Sequence, residues 1–421
     1  MRPAALLDLT ASLVQGVLRG DQPADRIVSA HFREHRLLGP RERHTLAETA
    51  YAVLRRRLLL QHLAQSGHGA LERRLAILGW QGDAAFLRAA LNPAEAAWLE
   101  QVSAVDRTQL PERLQHNLPA WVADPLRAEL GQEEFRALAH ALDAPAALDL
   151  RVNVLKARRE EAQQALAALG VASTPTPYSP WGLRLAGKPA LTRLAPFERG
   201  EVEVQDEGSQ LLALLTGARR GEMVVDFCAG AGGKTLALGA MMRNTGRLYA
   251  LDTSGHRLAA LKPRLARSGL SNVHPVQIAH ERDDRVKRLA GKADRVLVDA
   301  PCSGLGTLRR NPDLKWRQSP ETVQALQTQQ RAILEAAARL LRPGGRLVYA
   351  TCSLLRSEND ELAAAFSAAH ASEFEPLAAR ELLQEARVGE AASLDTGGAL
   401  RLWPHRHHTD GFYAAAWQRR G

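Results

Sequence analysis

The stretch MVVDFCAGAGGKT, Met223–Thr235, decides the predicted fold of this chain. An apolar run ends in Asp226, a loop of alanine and glycine follows, and a helix is predicted to begin near Thr235. Small residues let the backbone turn tightly and let a ligand approach it, and a helix start offers unpaired N–H groups. The next predicted strand, Arg247–Asp252, ends in an acid about 20 residues after the glycines, where a carboxylate can bind the ribose hydroxyls of a nucleoside.

Three ligand classes compete for this loop, beside a purely structural strand–helix turn. A Walker phosphate loop needs an earlier glycine before its Lys-Thr pair, and AGAGGKT lacks that glycine. A dinucleotide site needs GxGxxG, which Gly230–Lys234 does not provide. An Asp at the end of the strand, followed by AGAGG, fits S-adenosylmethionine best.

Two further strings place a cysteine just after a run that is typical of a buried strand. They are RVLVDAPC (Arg295–Cys302) and RLVYATC (Arg346–Cys352). Parallel strands of an open α/β sheet end at one edge, and ligands bind there. Either cysteine alone could be an ordinary buried thiol, because unpaired cysteine is among the most buried residue types. Two of them at neighbouring strand ends can instead face one small cleft.

A pair of thiols suits methylation of cytosine C5 in RNA. This carbon is a poor nucleophile, and a thiolate that adds to C6 activates it as part of an enamine. Afterwards a base removes the C5 proton and the thiolate leaves, a step that a second cysteine could assist. Asp299, at a strand end before Cys302, could serve near N3 if it is protonated or shares a proton with N3. Spacing alone does not say which cysteine attacks.

Composition restricts the class of protein further. The length of 421 residues and the apolar content of 45% predict two or three domains with real cores. Three cysteines, all in motifs, predict a reducing compartment, and the absence of a signal-peptide pattern or long apolar run predicts a cytoplasmic protein. The net charge of the chain is +9, with −1 in residues 1–150 and +10 in residues 151–421, which fits a polyanionic partner as well as a solvated basic surface.

The chain divides into three predicted regions. Residues 1–140 have helical spacing of their apolar positions. Residues 145–200 read as a small α+β module, with a strand at Leu148–Val154, a helix at Glu160–Leu169 and a loop at Ser173–Pro180. From residue 201 to 421 strands and helices alternate, which predicts an α/β, Rossmann-like parallel sheet with helices on both faces.

Taken together, these strings resemble the RNA cytosine-5 methyltransferases of the RsmB (Fmu/Sun) type. The matching motifs cover about residues 200–421 and are VQDEGSQ (Val204–Gln210), DFCAGAGGKT (Asp226–Thr235), LD (Leu251–Asp252), DAPCSGLGTLRRNPDLKW (Asp299–Trp316), YATCS (Tyr349–Ser353) and DGFY (Asp410–Tyr413). In addition, LLGPRERHTLAETAYAVLRRR resembles the NusB-like helical leader of that group. The resemblance implies an S-adenosylmethionine-dependent methyltransferase domain behind a small module and an RNA-binding helical domain, and we expect a monomer.

The resemblance also implies roles for individual residues. Cys352 is the expected nucleophile, Cys302 the expected helper in product release and Asp299 the residue that engages the cytosine ring. Asp252 is expected to hold the ribose. The implied cofactor-binding set is Cys228, Ala229, Gly230, Ala231, Gly232, Gly233, Lys234, Asp252, Arg257, His280 and Asp299. The implied substrate is a cytosine of small-subunit (16S) rRNA; tRNA or large-subunit rRNA is the nearest alternative, and a non-catalytic RNA-binding factor is the alternative of another class.

One position departs from the family pattern. Members usually carry an Asp after the third strand, whereas ungapped counting places His280 there, with Glu281 and Asp283 nearby. Either a nearby acid substitutes or the contact to the adenine is altered. The His405–His408 cluster lacks a cysteine or acid at ligand spacing, so no metal site is predicted.

The loop after Cys302 is the predicted RNA contact. It carries Arg309, Arg310, Lys315 and Trp316. Basic residues beside an aromatic ring are typical of backbone contact and base stacking, and a plain surface loop is the alternative. Lys234 is expected to touch the substrate or to position Asp299.

Overall fold

The computed structural model describes the whole chain, residues 1–421, as two compact units. One unit consists of residues 1–145 with residues 307–320, and the other of residues 146–306 with residues 321–421. None of the helices combines the length and the apolar character needed to cross a bilayer.

The first unit is built from helices, as predicted. Its core contains the buried side chains of Leu7, Val14, Val53, Ile77 and Trp98, which recur at helical spacing along their elements. The helices are α1 (Pro3–Arg19), α2 (Ala24–Glu34), α3 (Pro40–Arg55), α4 (Arg57–Ala64), α5 (Leu71–Leu78), α6 (Ala84–Arg88), α7 (Pro93–Ser103), α8 (Glu112–His116), α9 (Ala120–Leu130) and α10 (Gln132–Leu142).

The small module opens the second unit. Its antiparallel sheet has the order β2-β3-β1-β4, with β1 (Leu148–Val152), β2 (Ser173–Pro175), β3 (Gly182–Leu185) and β4 (Val202–Val204), and its helices are α11 (Arg159–Ala167) and α12 (Ala195–Glu198). Two predictions need correction. The predicted loop at Ser173–Pro180 begins with β2, because an edge strand tolerates proline. The module also continues past residue 200, because β4 pairs with β1.

The large sheet confirms the Rossmann-like prediction. Strands β5 to β9 are parallel, and the hydrogen-bonded order is β11-β12-β13-β9-β8-β5-β6-β7, with β10 on β13. The strands are β5 (Met223–Asp226), β6 (Arg247–Asp252), β7 (Val273–Gln277), β8 (Ala293–Asp299), β9 (Leu341–Thr351), β10 (Phe374–Leu377), β11 (Asp395–Thr396), β12 (Ala399–Leu402) and β13 (Phe412–Arg419). The remaining helices are α13 (Glu207–Leu215), α14 (Gly233–Met241), α15 (Gly255–Ser268), α16 (Asp284–Lys287), α17 (Leu314–Arg317, part of the first unit), α18 (Pro320–Ala338), α19 (Asp360–Ala369), α20 (Ala379–Glu385) and α21 (Pro404–His407).

Both faces of the sheet are covered, which explains the unbroken apolar runs in its strands. Along β8, Leu297 belongs to the core on one face, and Val296 and Val298 belong to the core on the other. β6 and β8 lie on opposite sides of β5, so the strand order reverses at β5. Ligands bind at such a reversal, outside the carboxyl ends of the strands, and this edge carries Asp226, Asp252 and Asp299.

Candidate active site

The glycine loop follows β5, leads into α14 and is hydrogen-bonded to Asp252 at the end of β6. Gly232 adopts a φ of 85° directly before α14, and an added Cβ there would lie 2.1 Å from Leu261. Gly230 has a φ of 57° and open space where a side chain would be. Its N–H donates to Asp252 Oδ2 at 2.8 Å. Backbone conformation therefore favours glycine at both positions, and close packing against Leu261 also requires it at Gly232.

Asp252 is fixed by backbone donors on both carboxylate oxygens. Oδ2 accepts from Gly230, and Oδ1 accepts from the N–H of Ser254 at 2.7 Å. Ser254 then caps α15 by accepting from the N–H of Arg257, whose side chain is exposed. The carboxylate thus lies between the glycine loop and the next helix, which is the place that the sequence predicted.

Asp226 is a fully buried acid beneath the loop. Burial raises its pKa to about 7, and the charges of Asp299 and Asp252 also raise it, whereas the Thr235 hydrogen bond and Lys234 oppose the shift. Thr235 Oγ1 donates to Oδ2 at 2.7 Å, and Oδ1 has no hydrogen-bond partner. Near neutral pH this side chain therefore changes between a neutral and a charged form.

We expect Asp226→Asn to become more stable relative to the wild type as pH rises. Between the ordinary pKa of 3.8 and the native value of about 7, the folded wild type keeps a proton that the unfolded chain has released, so its stability falls with rising pH. Asparagine does not titrate, and the difference in unfolding free energy should grow by on the order of 1 kcal/mol per pH unit within this window. Urea unfolding of both proteins without ligand, at several pH values, measures this difference in unfolding free energy. A difference that does not change with pH would contradict the raised pKa of Asp226.

Lys234 and Asp299 form an ion pair at the base of α14. The distance from Nζ to Oδ2 is 2.7 Å, and the Lys234 side chain is 11% exposed. Burial alone would lower the pKa of Lys234, but the charge and hydrogen bond of Asp299, together with Cys352, outweigh burial and raise it. The lysine is thus a stable cation that touches Asp299 and lies within electrostatic reach of Cys352.

The two cysteines meet as the sequence predicted. Cys302 follows β8, Cys352 follows the neighbouring strand β9, and their Sγ atoms lie 3.4 Å apart. The hydrogen bond to Cys352, burial and the charge of Glu358 raise the pKa of Cys302. Cys228 lies in the loop after β5, where burial and then Asp299, Asp226 and Asp252 raise its pKa. Both of these thiols are therefore held in the protonated form, and no disulfide is present.

Gly306 explains how the loop after Cys302 reaches β9. Its N–H donates to Cys352 O at 2.8 Å, and its carbonyl accepts from the N–H of Gly411 at 2.8 Å. A Cβ at Gly306 would lie 2.0 Å from Gly411 O and 2.8 Å from Cys352 O. This contact also accounts for the glycine of the DGFY motif, whose backbone lies against the loop after Cys302.

Sequence reasoning missed a buried polar cluster behind the cysteines. Ser303, Ser353 and Glu358 are at most 2% exposed and are hydrogen-bonded to one another. Gln330, which is also buried, joins them from α18. The available signal was that a serine directly follows each cysteine, in DAPCS and ATCS.

His280 follows β7 and is exposed, with its Nδ1 accepting from the N–H of Arg282 at 3.1 Å. The two acids named as its substitutes have partners of their own. Asp283 accepts from the N–H groups of Ala279 and Arg285, and Glu281 pairs with Arg282. The assignment of His280 to the adenine stays a prediction.

The predicted RNA residues Lys315 and Trp316 lie in the first unit. Lys315 Nζ donates to Arg55 O at 2.7 Å, and Trp316 Nε1 donates to Leu54 O at 2.7 Å. These carbonyls end α3, where intrahelical donors run out, and Leu59 N–H is taken by Asn117. Burial lowers the pKa of Lys315 to about 7, and the side chain is 4% exposed. The structure uses both residues as a helix cap. This corrects the expectation that Lys315 faces RNA, because its side chain is buried, whereas RNA contact by the half-buried Trp316 stays a prediction.

The carboxyl edge of the sheet fits S-adenosylmethionine. That molecule has a net positive charge and a ribose, and the edge offers the carboxylates of Asp252 and Asp299 beside the titratable Asp226. The loop from Cys228 to Lys234 supplies a close backbone approach at Gly230, where no side chain intervenes. Asp252 would hold the ribose, and the loop would hold the methionine part.

Comparison with known proteins agrees with this arrangement. Residues 213–418 match the family described as 16S rRNA methyltransferase RsmB/F, and residues 118–192 match the ferredoxin-like domain of RsmF/B-like methyltransferases. A probable ribosomal RNA small subunit methyltransferase B of Synechocystis is 37% identical over 312 residues, covering 74% of this chain and 69% of the relative. One of Bacillus subtilis is 32% identical over 352 residues, covering 82% and 76%. The crystal structure of PH0851 covers 99% of both chains, with a TM-score of 0.80 and 25% identity. The chain belongs to the RsmB/F family of S-adenosylmethionine-dependent rRNA methyltransferases.

Proposed function

We propose that this enzyme methylates C5 of a specific cytosine in small-subunit rRNA, through a covalent bond between Cys352 and C6. The observation that carries the proposal is the pair of thiols, with Sγ atoms 3.4 Å apart, next to the Lys234–Asp299 ion pair. Methylation at a ring nitrogen or a ribose hydroxyl needs no thiol, so two thiols beside the donor site favour C5 chemistry. The small-subunit relatives favour rRNA as the substrate.

The proposed reaction divides the work among four side chains. Cys352, as thiolate, adds to C6, and the electrons of the C5–C6 bond move towards N3, where Asp299 supports the ring with a shared proton. When bound, S-adenosylmethionine supplies an electrophilic methyl group to the activated C5. The Cys302 thiol then gives its proton to the Cys352 sulfur as the C6–sulfur bond breaks, and Cys302 takes up the C5 proton while the C5–C6 double bond re-forms. Lys234 holds Asp299 and is placed to balance negative charge at Cys352.

The target cytosine must leave its stack for this chemistry, because attack on C6 comes from the face of the ring. Arg309 and Arg310 remain proposed RNA contacts. Their segment follows the cysteine loop in sequence, and both side chains are half-buried.

A methylation assay tests the substrate assignment. Purified protein with labelled S-adenosylmethionine should modify small-subunit rRNA, and bisulfite sequencing should locate one protected cytosine. Matched reactions with tRNA and large-subunit rRNA should remain at background. Modification of tRNA or large-subunit rRNA instead would show that this RNA, and not small-subunit rRNA, is the substrate. A labelled cytosine that bisulfite still converts would contradict methylation at C5.

A further inference from the structure

Glu358 is a buried carboxylate that holds both cysteine loops at once. It is 0% exposed and lies at the end of a short turn before α19. Oε1 accepts from the N–H of Ser303 at 2.9 Å and from Gln330 Nε2 at 3.0 Å. Oε2 accepts from the hydroxyls of Ser303 and Ser353. All four donors are neutral, and two of them can only donate, so the cluster is built for an acceptor.

The two serines connect Glu358 to the cysteines, because each serine directly follows one of them in the chain. Ser303 follows Cys302 and Ser353 follows Cys352, and their Oγ atoms lie 3.1 Å apart, close to the 3.4 Å of the neighbouring Sγ atoms. The framework around them is also fixed. Gln330 donates to Pro301 O at 2.9 Å, and Tyr349 OH donates to Glu358 O at 2.7 Å. One carboxylate therefore bridges the two loops that carry the sulfur atoms.

The charges near the two cysteines differ in sign. The Glu358 charge acts on Cys302, where it helps to raise the thiol pKa after the Cys352 hydrogen bond and burial. The cation of Lys234 interacts with Cys352, and its ion-pair partner Asp299 lies opposite Ala350, two residues before Cys352, in the pairing of β8 with β9. A nearby anion disfavours a thiolate and a nearby cation favours it.

We propose that Glu358 is a positioning residue that fixes the two sulfurs side by side and, opposite Lys234, assigns the thiolate to Cys352 and the thiol to Cys302. The proposal deepens the proposed function, since it explains why the later cysteine is the nucleophile. The assignment of thiolate and thiol also exists without RNA, so it can be tested apart from the reaction.

Competitive alkylation measures this assignment directly. The full chain and its Glu358→Gln and Glu358→Asp variants are treated with limiting iodoacetamide, and peptide mass spectrometry gives the rates at Cys352 and Cys302. In the wild type, Cys352 should react faster. Glu358→Gln keeps the shape but removes the charge, and the Cys352-to-Cys302 ratio should fall by about tenfold, the effect of one pKa unit. Glu358→Asp keeps the charge and should restore most of the ratio. Glu361→Gln, an exposed acid three residues later, is the matched control and should leave the ratio unchanged.

The outcomes separate this inference from the proposed function. Faster alkylation of Cys302 in the wild type, or an unchanged ratio in a Glu358→Gln protein that still binds S-adenosylmethionine, would overturn the role of Glu358. The expected ratios in a protein that does not methylate cytosine would support Glu358 and contradict the proposed function. If Glu358→Gln does not fold, Ser303→Ala tests the positioning part. Its single-turnover rate should fall with unchanged cofactor affinity, and an unchanged rate would overturn the proposal.

Discussion

Cys352→Ala is expected to abolish methyl transfer to RNA while leaving S-adenosylmethionine binding intact. Without its sulfur no bond to C6 forms, and C5 stays a poor nucleophile. Loss of a nucleophile lowers turnover by roughly 10⁴-fold or more in well-studied enzymes, and we expect a loss of that size here. The glycine loop and Asp252 do not depend on this side chain, because their hydrogen bonds are to each other and to Ser254.

The measurement pairs a single-turnover assay with calorimetric titration of the cofactor. Cys228→Ala is the comparison variant. It removes a thiol from the proposed cofactor-binding loop, so it should weaken cofactor binding and still transfer methyl groups at saturating cofactor. Wild-type turnover in Cys352→Ala would rule out covalent catalysis by this residue. Failure of the wild-type protein to bind S-adenosylmethionine would favour the alternative of a non-catalytic RNA-binding factor.

Cys302→Ser should trap a covalent protein–RNA complex. A serine hydroxyl is a far weaker acid than a thiol, so it cannot give its proton to the departing Cys352 sulfur and then take up the C5 proton, and proton removal from C5 slows while the Cys352–C6 bond is intact. Product release should fall by about 10² to 10⁴-fold, the range for loss of a general acid–base group. A denaturing gel should show a slow-migrating band that needs both RNA and S-adenosylmethionine and that disappears with ribonuclease.

The double variant Cys302→Ser with Cys352→Ala serves as the control. It should give no band, because the proposed nucleophile is gone while the rest of the site is kept. A band in Cys352→Ala alone would reverse the roles of the two cysteines, and it would also remove the reason for a thiolate next to Lys234.

The architecture of the catalytic sheet could be predicted from local patterns. The run Arg247–Asp252 is a strand with those bounds, and the two cysteines follow adjacent strands, because apolar runs and their terminal acids are local signals. The meeting of Sγ atoms at 3.4 Å followed from topology alone. The motifs did not show which of the two cysteines attacks, and the charges that we propose to decide it, on Lys234 and Glu358, are distant in sequence.

The two arrangements that the sequence did not predict, the cap on α3 and the cluster around Glu358, share a physical cause. Lys315 and Trp316 read as RNA contacts because a basic and aromatic loop has that composition, but their donors cap α3, which is about 260 residues earlier in the chain. Glu358 looked like one acid among many in RSEND. Its partners Ser303 and Gln330 lie 55 and 28 residues away, and only the folded chain brings them together.

The most direct test of the central claim uses wild-type enzyme with both cysteines present. RNA that carries 5-fluorocytosine at the target position should form a stable complex, because fluorine cannot leave as the proton does. Digestion with protease and nuclease, followed by mass spectrometry, then identifies the residue bound to the base. The account predicts a methylated fluorocytidine on the peptide that contains Cys352. A nucleotide on Cys302, or methylation without any covalent complex, would contradict it.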